Sequence, residues 1–231
     1  MGLLACQDSQ APLSFEAFQE NYRQAHQELY PGRPSPDSQH CYNYLLAIPD
    51  AAHRQQQRLF CQAYQQQATQ FSPKQLQAEG KQQLEMIEKE LARIQFELDS
   101  VQTHAMDAGQ YHLLPGLQAN LQASNLSVED QLRILQRKMQ FVPDYFQAAK
   151  DNLRAEARGY ELALQQQRAT YLWLDQELLP LARRSALSPQ EQQLFGQHVN
   201  WAKLAVKDFL AYCKSRWIDQ QTTSSSPQMI K

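Results

Sequence analysis

Hydrophobic residues recur every three or four positions along most of this chain, the period of helices with one buried face. The clearest run is Leu84, Ile87, Leu91, Ile94, Leu98 and Val101, a single seam on a helix expected after Ser72-Pro73, with Gly80 as a close-contact point near its start. The seam lasts under three heptads, which favours an intramolecular bundle over a free coiled coil. A helix opening at Ser14 carries Phe15, Phe18, Tyr22 and Leu29, and the prolines at 31, 34 and 36 end it. After a short apolar segment from Tyr42 to Ile48, Asp50 can cap a glutamine-rich helix that runs to about Phe71.

Later in the chain, Ser127-Val128-Glu129-Asp130 reads as a cap with acidic residues in the first turn, followed by the stripe Val128, Leu132, Leu135 and Met139. Pro143 interrupts that stripe, and a helix restarts through Tyr145, Phe146, Ala149 and Leu153. Gly159 marks a joint before Leu164, Tyr171, Leu174, Leu178 and Leu181. Ser188-Pro189 opens the last helix, with Phe195, Val199, Ala202, Val206, Phe209, Cys213 and Trp217 on one face. Residues 103–126 read as the main irregular stretch. No segment shows strand alternation. The expected fold is all-α, an irregular antiparallel bundle or array of about six to seven helices spanning residues 14–219, with a tether over 1–13 and a disordered tail over 220–231.

Composition supports this reading. The 231 residues include 7 Gly and, by direct count, 38 Gln, which serve as neutral polar helix surface. A net charge of −2 gives no electrostatic case for nucleic acid. The uncharged stretches are too short for a membrane span.

The start of the chain suggests a location. Leu3-Leu4-Ala5-Cys6 looks like the end of a bacterial lipoprotein signal, in which the cysteine is acylated and the polar run after it becomes a tether. Only five residues precede Cys6, so a start upstream of Met1 is needed to supply a basic, longer apolar leader. The alternative is a chance cysteine in a cytoplasmic protein. Lipidation at Cys6 would place the protein in the periplasm or at the outer membrane. There Cys41 and Cys61 are a candidate disulfide, against the alternative of buried free thiols. Cys213 lies on an apolar stripe and reads as core.

Signatures for chemistry are scarce. There is no CxxC, HExxH, GxSxG, SxxK or phosphate loop, and no two histidines stand three or four apart. No metal, cofactor or catalytic residue is therefore assigned, and the six histidines read as surface residues. Within the irregular stretch, Tyr111, His104 and His112 are the candidate ligand contacts, Tyr111 foremost.

Three segments carry a resemblance. They are Leu46-Ala47-Ile48-Pro49-Asp50 leading to Phe71-Ser72-Pro73, the stretch from Asp107 to Leu117, and Ser127 to Arg154 with its Pro143-x-Tyr145-x-x-x-Ala149-x-x-Asn152-Leu153 spacing. Together they resemble the helical amino-terminal half of bacterial domain-of-unknown-function family 885, whose members look like lipid-anchored zinc metallopeptidases. That family's His-Glu-x-x-Pro-Gly-His zinc motif has no counterpart here, so the resemblance implies a helical scaffold and transfers no site residue. The functional expectation is a non-catalytic, membrane-tethered helical protein that binds a protein or peptide. The alternatives are the substrate-covering half of a split or truncated peptidase and a cytosolic helical adaptor.

Overall fold

A computed structural model of the chain describes residues 13–30, 46–122 and 126–224. Cys6 and Cys41 lie outside the described residues, and with them the expected lipidation and disulfide. The fold is all-α. Seven helices of ten residues or longer are present among the described residues: α1 (Phe15–Leu29), α2 (Ala51–Ala68), α3 (Ala78–Phe96), α6 (Val128–Met139), α7 (Val142–Asn152), α8 (Tyr160–Trp173) and α10 (Pro189–Ser224). Three shorter ones, α4 (Thr103–Met106), α5 (Leu114–Asn120) and α9 (Leu179–Arg184), fill the connections. The stretch expected to be irregular thus contains α4 and α5, and α10 runs into the segment expected as a disordered tail.

Local chemistry sets most helix starts. The Ser14 and Asp50 side chains accept from the Ala17 and His53 amides at 3.2 and 2.7 Å, which satisfies amides that the first turn leaves unpaired. Ser127 receives the Asp130 amide at 3.1 Å. Ser188 and Glu191 form a reciprocal capping box. Ser72-Pro73 does not open α3. Instead the Gln75 amide closes a turn on the Ser72 carbonyl at 2.9 Å, and the helix begins at Ala78.

Two hydrophobic cores form. In the first, α1, α2 and α3 run up, down and up. Phe18 and Tyr30 of α1 and its end meet Tyr64 and His53 of α2, an antiparallel register. Arg58 and Gln65 of α2 meet Asp99 and Gln95 of the α3 region, again antiparallel. Leu84, Ile87, Leu91, Ile94 and Leu98 are all buried here, each worth about 1.5–3 kcal/mol of transfer free energy. Val101 is exposed. After Phe96 the helix widens into a π turn over Glu97–Val101, and the extra residue per turn rotates Val101 off the seam. Gly80 lies against the Phe15 ring, 3.3 Å from where a Cβ would stand.

The second core is built around α10, whose Phe195, Val199, Ala202, Val206, Phe209 and Cys213 are fully buried. α8 lies antiparallel on it, with Tyr160 near Tyr212 and Tyr171 beneath Lys203 and Lys207. α6 and α7 cover the other side. A parallel pairing of Asp107 and Arg158 pins the connection after α4 to the turn before α8 through two amide–carbonyl bonds of 2.9 and 2.8 Å. The turn closes with Gly159 at φ 74°.

Candidate functional site

The two cores meet along a cleft, and the chain crosses between them nearby through the extended segment 46–49 and again through α4. Two adjoining hollows lie in the cleft, of about 400 and 260 Å³. Tyr30 from the end of α1, Ala47, and His53 and Gln57 from the first turns of α2 line both hollows, as does Gln110. His112 and Lys138 line the larger hollow. His104, Arg54, Arg93 and Glu97 line the smaller.

The cleft wall is held by one polar cluster. Arg54 Nη1 donates to the Asn152 Oδ1 at 2.8 Å and to the Pro49 carbonyl at 2.9 Å. Asn152 Nδ2 donates to the same carbonyl at 2.5 Å and to the Tyr111 hydroxyl at 3.1 Å. Tyr111 in turn donates to the His104 carbonyl at 2.5 Å. This places the predicted residues. His104 and His112 each line a hollow, but Tyr111 sits beneath the cleft with only 2% of its surface exposed and its hydroxyl committed. Burial pushes that phenol up to about 12, against the lowering by the Asn152 hydrogen bond. Tyr111 is a strut of the wall. The Gly/Pro-rich sequence around it suggested an exposed loop, whereas its ring is buried edge-to-face against Tyr145 of α7.

The histidines depart from the surface reading. None of the five described is exposed, and His198 is buried. Burial is the largest cause lowering the pKa of His53, His104 and His112. Asp50 opposes the shift at His53, and Arg54, Arg58 and Arg154 add to it at His104. All three are therefore neutral imidazoles at pH 7. His112 Nε2 is buried and meets no hydrogen-bond partner among the described residues. No group of three or more potential metal ligands comes together among the described residues.

A lining residue missed by sequence reasoning is Lys138. It is 3% exposed and lines the larger hollow, and its ammonium makes no ion pair or hydrogen bond with the described residues. Desolvation alone lowers its ammonium to about 8. Gln131, Ile134 and Lys138 share a buried face of α6, but two of the three are polar, so no hydrophobic pattern marked it. Cys61 and Cys213 are both buried, and burial raises their thiol pKa values to about 11 and about 12, so neither is a ready nucleophile.

No family model matches the chain, that of domain-of-unknown-function family 885 included, and no curated protein matches it. One solved structure shares the fold. It is from Shewanella oneidensis, is taken to be a lipoprotein and is of unknown function; the TM-score is 0.83 at 22% identity. The match covers 93% of this chain and 39% of that one. At that identity the likeness shows the fold alone, and this chain spans well under half of the Shewanella protein's length. No helix among the described residues is long and apolar enough to cross a membrane.

Proposed function

We propose that this is a lipid-anchored, non-catalytic binding protein whose protein or peptide ligand enters the cleft between the two cores. The observation that carries the reading is the cleft itself. Ligand sites favour junctions between separately packed units, lined by apolar walls with a few convergent polar groups. Here three neutral histidines and a buried ammonium meet at such a junction. The anchor rests on Leu3-Leu4-Ala5-Cys6 and on the fold shared with a protein taken to be a lipoprotein. The test is photo-crosslinking in cells from an unnatural residue at Gln57 or Gln110, with exposed Glu85 as control. Adducts specific to the two cleft positions support the reading, and their absence sinks it. Alkyne fatty-acid labelling of the gene's full product, lost in Cys6→Ala, tests the anchor.

A second reading has its own support. Leu162 and Leu172 on α8, and Leu194, Trp201 and Leu204 on α10, are 44–64% exposed, and the Shewanella fold continues well beyond the matched region. On this reading the array is the scaffold portion of a larger protein, such as the peptidase family it resembles, and these side chains face the remainder. A monodisperse monomer that binds no hydrophobic dye counts against it.

A further inference from the structure

The larger hollow has an unusual charge balance. Lys138 lines it from the last turn of α6, with 3% of its surface exposed, and no carboxylate among the described residues pairs with its ammonium. None of the described residues that line the hollow is Asp or Glu. A buried charge without a partner is costly, and proteins avoid it unless something else supplies the counter-charge. Leu29, Leu46, Leu113 and Leu117 form the apolar part of the wall. Gln57, Gln110 and the unpartnered Nε2 of His112 add neutral polar groups.

We infer that the hollow at Lys138 binds a monocarboxylate with an apolar body, the carboxylate pairing with the ammonium and the body lying against the four leucines. This rests on the reading of the cleft as the ligand site and names its chemistry. A single negative charge matches the single uncompensated positive one. A dianion would leave a second charge facing leucines, and a neutral ligand would leave the ammonium unpaired. The volume of about 400 Å³ is within the range of small-ligand sites. Two sources present this group: a short fatty acid, or the free C-terminus of a peptide that ends in an apolar residue.

The test is calorimetric titration of the full chain with four probes: octanoate, octanol, the peptide Ala-Ala-Leu with a free C-terminus, and its C-terminal amide. Inorganic phosphate is titrated alongside. A charge-assisted hydrogen bond of about 1.5–3 kcal/mol corresponds to about a ten- to hundredfold change in affinity. The inference expects octanoate or the free peptide to bind by that factor more tightly than its neutral analogue, with the preference lost in Lys138→Met and retained in Lys138→Arg. Which acid binds identifies the source. Equal binding of acids and neutral analogues overturns the carboxylate assignment while leaving the cleft a ligand site. Phosphate binding as tightly as octanoate with the same Lys138 dependence overturns it in favour of a general anion site. Binding of no probe also overturns it, and the crosslinks from Gln57 and Gln110 then decide independently whether the cleft is used at all.

Discussion

Arg54 and Asn152, 98 positions apart in sequence, join the two cores through a 2.8 Å hydrogen bond. Both also donate to the Pro49 carbonyl, so α2 and α7 share one acceptor on segment 46–49. The amide of Asn152 then reaches the Tyr111 hydroxyl, which reaches α4. A single asparagine on α7 thus bonds directly to three other segments of the cleft wall, at Arg54, Pro49 and Tyr111.

Replacing Asn152 by Ala leaves the Arg54 guanidinium and the Tyr111 hydroxyl short of partners in a half-buried site. The expected loss is about 1–3 kcal/mol. More telling is cooperativity. All three tryptophans, Trp173, Trp201 and Trp217, belong to the second half of the chain, so fluorescence follows that core while far-UV circular dichroism follows both. The wild type should unfold with coincident urea midpoints and Asn152→Ala with separated ones. Coincident midpoints and wild-type stability in the variant would show that the clamp joins nothing.

Gly159 tests the other tie. Its φ of 74° is a conformation that other residues adopt at a cost of about 1–2 kcal/mol. A Cβ there would also collide with the Asp107 carboxylate, which accepts the Gly109 amide at 2.8 Å. Gly159→Ala should lose about 2 kcal/mol or more, and hydrogen exchange should rise first at Ala108 and Arg158, the paired amides. A loss no larger than that of an ordinary exposed Gly→Ala change contradicts the close approach.

What the sequence disclosed and what it hid follow from distance along the chain. Asp50, Ser127 and Ser188 were legible as caps because a cap is settled within four residues. The α3 seam and the α10 stripe were legible because a repeated period is a local pattern. The π turn that exposes Val101 was not, since nothing in Glu97–Val101 differs from an ordinary helical turn. The cleft was hidden because its lining comes from positions as far apart as 30 and 138. Lys138 follows Arg137 and reads as the basic end of a solvated helix; only packing of α6 with its neighbours turns it inward. Tyr111 misled for the opposite reason, since a Gly- and Pro-rich surrounding marks a loop but says nothing of what folds over it.

Acid should weaken the fold through its histidines. The folded-state pKa values of His53, His104 and His112 lie below the ordinary value, chiefly through burial. Their stabilising contribution is complete above the unfolded value near 6.5 and is lost as pH falls through the lower folded values. Glu191, held down to about 2 by Ser188 and Arg133, and Asp130, lowered by the same kinds of contact, stay ionised throughout that window. The Tm should fall as the pH drops below about 6.5. His112→Gln should flatten the fall. An unchanged profile in that variant would mean that His112 is solvated in solution.

Lys138 should be a residue the fold is better without. Its ammonium is depressed from the usual value near 10.4 to about 8, with desolvation as the cause. Below pH 8 both folded and unfolded chains carry the proton, and the folded state bears the full cost of burying it. Between pH 8 and 10.4 the unfolded chain holds more protons, so stability rises with pH. Lys138→Met removes the charge at nearly constant volume and should stabilise the protein at pH 7 by up to about 3 kcal/mol, at about 1.36 kcal/mol per pKa unit. That advantage should shrink as the pH approaches 10. Urea midpoints of the two proteins at pH 7 and 10 measure both effects. A stabilising Met that abolishes binding of the acid probes would be the signature of a charge retained for its ligand. A destabilising Met would instead show that the ammonium has a counter-charge in the folded protein and that the hollow needs no ligand to balance it.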